Sequence, residues 1–234
     1  MSIDSYPAQD DRVTSESRQD LGAASLLFRN DSDLWTEFQG RDLESMFPKI
    51  YFSPHAIDGA TTHYLLDKTA LAELEPFKTA RVLVSLTIGG NDLLQAIRLA
   101  ASSNPEVLMG EVRAITTRFN QVVSILERHL QNALFLLTTV YDPTDGTGIM
   151  PGDTFRGRLP VQYLDQFNGS IKETAGRMEN AVFCDVHEHF LGHGSEAGAD
   201  MWYWVPSPIE PGARGASEIR RVWLRGLEKW LAEH

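Results

Sequence analysis

A glycine-rich turn that carries an amide side chain ends an apolar run in the middle of the chain. Residues 82–88 read Val-Leu-Val-Ser-Leu-Thr-Ile, which favours a buried strand, and Gly89, Gly90, Asn91 and Asp92 follow directly. Open α/β sheets bind their ligands just beyond the carboxyl ends of their strands. An amide there can donate a hydrogen bond to a developing oxyanion, and the glycines let the backbone turn and approach a substrate without a Cβ clash. The alternative is an ordinary Gly-Gly turn in which Asn91 and Asp92 cap the next helix.

A second group of chemically active side chains lies at the end of the last apolar run. Asp185, His187, His189 and His193 fall within nine positions. Histidine is the side chain best suited to act as a general base, because its pKa lies near neutrality. We favour His193, since a glycine on each side suits a loop that brings an imidazole into a cleft. The alternative is that these histidines are surface or helix residues without a role.

The same four side chains also offer oxygen and imidazole ligands for zinc or another divalent metal. His187 and His189 lie on one side only if the segment is extended, whereas His189 and His193 share a face only in a helix. One regular element therefore cannot present all three, and the spacing matches no metal signature. The sequence implies neither an organic cofactor nor a resident metal.

Composition and charge exclude several classes of protein. The chain has 234 residues, of which 42% are hydrophobic and 23% charged, as in a globular protein. We expect one domain over residues 1–234, with residues 1–20 irregular. No apolar run approaches the roughly 20 residues that span a membrane. The net charge of −11 argues against a nucleic-acid partner.

The termini and the cysteine content indicate the compartment. The single Cys184 excludes an intramolecular disulfide and lies in an apolar run, so we expect it to be buried. Residues 1–12 are polar and lack the basic and apolar regions of a signal peptide. A cytoplasmic protein is therefore predicted. No feature of the sequence indicates an oligomeric state.

The elements that must position these residues follow an alternating strand and helix pattern. The predicted strands are 49–53, 81–88, 133–140 and 181–186. The predicted helices are 63–74, 92–101, 105–129, 160–178 and 213–232. In the last helix, core packing is predicted for Ile219, Val222, Trp223, Leu227 and Trp230, and a solvated face for Arg220, Arg221 and Arg225. The predicted class is α/β with a parallel sheet.

Three blocks of the sequence resemble those of the SGNH hydrolases, also called GDSL lipases and esterases. Residues 89–92 match the family's G-x-N-D block, in which the Asn donates to the oxyanion. Residues 58–62 resemble the block whose glycine, here Gly59, donates to it through the backbone N–H. Residues 209–215 resemble the final block, usually D-x-x-H-P-N followed by a glycine and a helix. The resemblance covers about residues 47 to 230.

The resemblance implies a three-layer α/β/α sandwich, the SGNH hydrolase fold, with a flavodoxin-like parallel sheet of strand order 2-1-3-4-5. The four predicted strands correspond to positions 2 to 5, so the first strand is missing. The family's nucleophile is the serine of a G-D-S-L-S element at the end of that strand, and no such element exists here. We therefore expect the nucleophile immediately upstream of Met1, with Met1 and Ser2 as the last two residues of the element. Ser2 and Ser5 themselves lie in a polar terminus that offers no rigid elbow.

The final block also departs from the family pattern. Where the family carries D-x-x-H, residues 207–210 read Ser-Pro-Ile-Glu, without the Asp or the His. Another histidine can substitute as the base, and His193 is our candidate. Glu210 or Asp185 would orient it as the acid of a triad.

The resulting hypothesis is hydrolysis of a small-molecule carboxylic ester, acyl or acetyl. The oxyanion donors would be the Gly59 N–H, the Asn91 amide and the nucleophile's own N–H. Residues 201–206, which include three aromatic rings, could form the wall of an acyl or sugar pocket or simply pack beneath a loop. The alternatives are binding of an ester without turnover and metal-dependent hydrolysis by the segment from Asp185 to His193.

Overall fold

The computed structural model describes residues 5–7, 17–67, 71–100, 105–150 and 158–234. Its strands are β1 Ser5–Pro7, β2 Ser17–Gln19, β3 Arg81–Leu86, β4 Asn132–Thr138, β5 Ala181–Cys184, β6 Tyr203–Trp204 and β7 Ser207–Pro211. Its α-helices are α1 Ala23–Phe28, α2 Leu43–Met46, α3 Thr62–Leu65, α4 Gly90–Ala100, α5 Pro105–His129, α6 Gln162–Gly176, α7 Val186–Phe190 and α8 Ala213–Glu233. The chain forms two compact units, the first from residues 59–140 and 159–187, the second from residues 2–58, 141–158 and 188–234. The single domain expected from the sequence stays a prediction.

The first unit contains a parallel sheet of order β3-β4-β5. Its register pairs Val84 with Phe135, and Leu136 with Val182. Phe135 and Leu136 are both fully buried, as expected for a central parallel strand that is covered on both faces. The predicted α/β class is confirmed.

The helices of the first unit form its core with the sheet. Helix α5 begins at Pro105, where the missing N–H of proline costs no helical hydrogen bond, and its bounds agree with the predicted 105–129. Its buried residues, among them Val112, Ile115 and Phe119, recur at helical spacing, and the Phe119 ring meets the ring of Phe167 on α6 edge-on at 5.7 Å. Within the described ranges, no helix is long and apolar enough to cross a membrane.

A side chain of helix α6 forms hydrogen bonds with the main chain just beyond the end of β4. The Asn168 carboxamide accepts a hydrogen bond from the Val140 N–H and donates one to the Val140 carbonyl, each at 2.8 Å. Val140 lies just beyond β4, so both of its main-chain groups are satisfied where the ladder has ended. Asn168 thereby fixes the position of α6 along the sheet.

The second unit is organised around α8, which packs against α1. Leu21, Leu26, Ala213 and Ala216 form a buried cluster there. Along α8, Ile219, Trp223 and Leu227 are buried, as predicted.

The prediction that Arg220 faces solvent is wrong, because its side chain is fully buried. Its guanidinium carbon lies 3.6 Å from the centroid of the Phe38 ring, and Nη1 donates to Asn30 Oδ1 at 2.6 Å. Nη2 donates to the hydroxyl of Ser217. Burial lowers the pKa of Arg220 to about 10. An aromatic face and two acceptors thus replace water around this cation.

The predicted strand at residues 49–53 is not formed. Residues 51–57 have no regular secondary structure, and the Tyr51 side chain is 91% exposed. In the order 2-1-3-4-5, the second strand pairs only with the first. No strand of the described residues pairs with the other edge of β3, so a strand at 49–53 would lack its neighbour. Within the predicted helix 63–74, α3 covers Thr62–Leu65 and residues 71–72 are also helical, and a 3-10 turn follows over Glu75–Phe77. Residues 68–70 lie outside the described residues.

Candidate functional site

Asn91 is the second residue of α4, three residues beyond the predicted end of its strand. Its Nδ2 donates to the Ala60 carbonyl at 3.0 Å. Because a carboxamide nitrogen carries two hydrogens, this bond leaves one available to a second acceptor. Ala60 follows Gly59, which has a φ of +75°. The Asn91 amide thus contacts the residue that follows Gly59. The oxyanion roles of the Asn91 amide and the Gly59 N–H stay predictions.

A buried carboxylate fixes this arrangement. Asp92 is 5% exposed and accepts hydrogen bonds from the Thr62 N–H at 2.9 Å and the Thr62 hydroxyl at 2.6 Å. Arg118 Nη2 lies 3.3 Å from Asp92 Oδ1, and Arg118 Nε donates to the Thr62 hydroxyl at 2.9 Å. We call Ala60, Thr62, Asn91, Asp92 and Arg118 the Asn91 cluster. The cluster joins the start of α3 to α4 and α5.

The two glycines before Asn91 let the backbone lie close to the side chains of Phe167 and Val140. Gly89 has a φ of +107°, which side chains rarely adopt, and a Cβ there would lie 2.3 Å from Phe167 Cζ. At Gly90 a Cβ would lie 3.3 Å from Val140 Cγ1. A side chain at either position would meet core side chains of the first unit. That the glycines let the backbone approach a substrate stays a prediction.

His193, in the second unit, is held with one ring nitrogen engaged. Its Nδ1 lies 2.9 Å from the Asp200 carbonyl oxygen. Because a carbonyl only accepts, Nδ1 carries a hydrogen, and in the neutral ring the lone pair is on Nε2. The ring stacks on Trp202, with centroids 3.6 Å apart and planes 7° apart. The Nδ1–H tautomer, with its lone pair on Nε2, is the form that a general base requires.

The two predicted orienting acids have other surroundings. Glu210 lies on β7 and is 6% exposed; burial, together with the charge of Asp58, raises its pKa to about 7. Asp185 belongs to the first unit and accepts a hydrogen bond from the Thr139 hydroxyl at 3.2 Å. The group at Nδ1 of His193 is a main-chain carbonyl instead. The acid roles of Glu210 and Asp185 stay predictions.

The other two histidines each face a different carboxylate. His187 Nε2 lies 3.6 Å from Asp165 Oδ1, and His189 Nε2 lies 2.8 Å from Glu218 Oε2. Among the residues that the structure describes, no group of three or more His, Cys, Asp or Glu side chains could hold a metal ion. The metal hypothesis for the segment from Asp185 to His193 therefore has no geometric support there.

Sequence reasoning gave no role to Thr62, Arg118 or the Asp200 carbonyl, and it did not predict that Trp202 stacks on His193. Arg118 lies 56 residues from Thr62, and no local pattern links them. Trp202 was noted only as a wall or a packing residue. Of the two weakest serine candidates, Ser2 lies outside the described residues, and Ser5 lies in β1.

Solved structures share the fold of this chain at low sequence identity. An extracellular lipase from Streptomyces rimosus aligns with a TM-score of 0.58 and 20% identity, over 96% of this chain and 92% of the lipase. A protein from Parabacteroides merdae designated a GDSL-like lipase aligns with a TM-score of 0.59 and 16% identity, over 95% and 91%. A catalytic mutant of an acetylxylan esterase from Geobacillus stearothermophilus aligns with a TM-score of 0.57 and 18% identity, over 88% and 80%.

No curated protein matches the sequence significantly. The model of the GDSL-like lipase/acylhydrolase family, in contrast, matches residues 16–216. That match spans most of the 234 residues and includes both the Asn91 cluster and His193. The chain therefore belongs to the GDSL-like lipase/acylhydrolase family.

Proposed function

We propose that this protein hydrolyses small-molecule carboxylic esters, acyl or acetyl, by serine chemistry. The observation that carries the proposal is the hydrogen bond from Asn91 Nδ2 to the Ala60 carbonyl. This bond ties the Asn91 amide to the residue after Gly59 and leaves the second Nδ2 hydrogen available, which supports a role for Asn91 as a donor to a tetrahedral oxyanion. Membership of a family of lipases and acylhydrolases supports an acyl substrate.

In this proposal His193 is the general base. Its Nε2 takes the proton of the serine hydroxyl while the oxygen attacks the ester carbonyl, and later returns the proton to the leaving alkoxide. The Asp200 carbonyl holds the required tautomer through Nδ1. A main-chain carbonyl can accept this hydrogen bond, although it cannot neutralise the imidazolium as a carboxylate would.

The serine is proposed to lie upstream of Met1, at the end of a strand that pairs with the free edge of β3. Two observations support this: the sequence lacks a G-D-S-L-S element, and in the described part of the chain β3 pairs only with β4. An in-frame stop codon directly before the start codon would contradict it. The cytoplasmic location likewise remains a prediction.

The test uses the chain extended upstream through its in-frame codons, beside the chain of 234 residues. We expect a serine-directed fluorophosphonate probe to label only the extended chain, at the upstream serine, and p-nitrophenyl acetate to be hydrolysed by it. Asn91→Ala should lower kcat by about two to three orders of magnitude with little change in KM.

The matched control is Asn180→Ala. Asn180 Nδ2 also donates to a main-chain carbonyl, that of Ala133 at 3.1 Å, but at the amino end of the sheet. Its loss should leave kcat within about threefold, as expected of a residue that does not touch the reacting atoms. Equal losses in both variants would refute the oxyanion role. Ester binding without labelling or turnover in either chain would establish the non-catalytic alternative.

A further inference from the structure

The loop of residues 142–148 in the second unit is built around two aspartates. Asp142 is buried and accepts hydrogen bonds from the Thr144 N–H at 2.8 Å, the Thr144 hydroxyl at 2.6 Å and the Gly146 N–H at 2.8 Å. These bonds close the loop on itself. Asp145 has a φ of +50°, in the left-handed region that residues other than glycine rarely adopt. Such a conformation persists only where surrounding contacts determine it.

The contacts of Asp145 are with the backbone on both sides of His193. Its Oδ1 accepts from the Gly192 N–H at 3.0 Å, and its Oδ2 accepts from the Gly194 N–H at 2.9 Å. Hydrogen bonds to an ionised acceptor are stronger than neutral ones. The two oxygens of one carboxylate thus bracket His193.

The fit at Gly194 allows no side chain. A Cβ on Gly194 would lie 2.6 Å from Asp145 Oδ2 and 2.8 Å from the Pro143 carbonyl oxygen. The next residue, Ser195, donates both its N–H and its hydroxyl to that same carbonyl, at 2.9 and 2.8 Å. Glycine is therefore required at 194, because the Asp145 carboxylate and the Pro143 carbonyl leave no space for a side chain. The segment of residues 192–195 cannot shift without breaking its hydrogen bonds to these two groups.

We propose that Asp145 is a positioning residue for His193. The carboxylate holds the backbone on both sides of the imidazole, so that the ring stays on Trp202 and Nδ1 stays on the Asp200 carbonyl. Nε2 is then presented in one place with its lone pair free. The inference rests on the proposed function, in which His193 is the base, and it assigns a role to a residue outside any triad.

The test is Asp145→Asn, read first by nuclear magnetic resonance in the chain of 234 residues. Long-range ¹H–¹⁵N correlations report the tautomer of each of the seven histidines, and the His193 signals are identified by their loss in His193→Gln. The wild-type ring should show the Nδ1–H tautomer and an upfield shift from the Trp202 ring. Asp145→Asn places an NH₂ group against a backbone N–H, so we expect mixed tautomers and a reduced upfield shift. The control is Glu196→Gln, which changes an exposed carboxylate three residues after His193. It should change neither the His193 tautomer nor the upfield shift.

The second readout is ester hydrolysis by the active chain. Asp145→Asn should lower kcat roughly ten- to a hundredfold with KM nearly unchanged, because a misplaced base slows proton transfer without weakening substrate binding. If that variant does not fold, Asp145→Ala removes the same two hydrogen bonds without placing a donor against the backbone N–H groups and gives the same two readouts.

The outcomes separate the two proposals. An unchanged His193 tautomer and ring shift in Asp145→Asn would overturn the positioning role. A changed tautomer with unchanged kcat would uphold the positioning role and refute His193 as the base.

Discussion

Asp92→Asn should destabilise the protein substantially, because it removes the charge at the centre of the Asn91 cluster. The carboxylate accepts from the Thr62 N–H and hydroxyl and pairs with Arg118. Either orientation of the asparagine carboxamide places its NH₂ against a group that already donates. One buried donor is then left without an acceptor, which costs about 1–3 kcal/mol.

The ion pair adds to this loss. The Asp92 side chain is 2% exposed and the Arg118 side chain 18%, so the pair is largely shielded from water. Removing one partner of a fully buried pair costs about 3–5 kcal/mol, and the partial exposure of Arg118 reduces this contribution to about 1 kcal/mol. We expect a combined loss of about 2–4 kcal/mol in the free energy of unfolding. For a chain of this length, that lowers the thermal midpoint by roughly 5–15 °C.

Urea and thermal unfolding followed by circular dichroism measure this loss. The control is Glu173→Gln, which removes a 4.0 Å pair with Arg177 whose side chains are 77% and 60% exposed. That change should alter stability by less than about 0.5 kcal/mol. A loss below about 0.5 kcal/mol for Asp92→Asn would refute the role of the cluster. A double-mutant cycle with Arg118→Gln isolates the pair.

Three further predictions follow from single sites. Burial raises the pKa of Glu210 from 4.5 to about 7, so ionisation of this carboxyl destabilises the folded protein as the pH rises through that range. Glu210→Gln removes the ionisation and should therefore raise the thermal midpoint near pH 8 but not near pH 4. An equal shift at both pH values would contradict this. Cys184, whose pKa burial raises to about 12, should resist iodoacetamide until the protein unfolds, and rapid alkylation of the native protein would show the assignment to be wrong. Gly89→Ala should lower the free energy of unfolding by about 1–3 kcal/mol, because the new Cβ clashes with Phe167. The control is Gly169→Ala on α6, where a Cβ meets nothing within 4 Å, and it should be neutral or stabilising. Similar losses of stability in both variants would argue against the clash.

The parts of the fold that sequence predicted well depend on local pattern. Helix α5 has enough turns for its apolar stripe to be unmistakable, and β4 is a continuous apolar run because both of its faces are covered. Residues 49–53 have the composition of a strand, yet a strand also needs a neighbour to pair with. Arg220 shows the same limit, since no local pattern reveals that Phe38 and Asn30 will shelter its charge.

The candidate site residues also fall into those that a local sequence pattern reveals and those that depend on distant contacts. Asn91 and His193 could be found because their glycine neighbours mark turns. Asp145 could not, because the residues it binds lie 47 and 49 positions away and no periodicity links such distant parts of the chain. The Asp200 carbonyl is a main-chain group, which any residue type supplies, so side-chain identity carries no signal for it.

The bond between Asn168 and Val140 has a consequence for how the protein ages. Asn168 precedes Gly169, and an asparagine before glycine readily loses its amide nitrogen when the chain is free to close a succinimide ring. Helix α6 holds the backbone away from that ring geometry while the protein is folded. Heating frees it, and the resulting aspartate or isoaspartate places an oxygen where the NH₂ group donated to the Val140 carbonyl. Each cycle of unfolding would therefore convert part of the sample into chains in which α6 has lost this hydrogen bond to the end of β4.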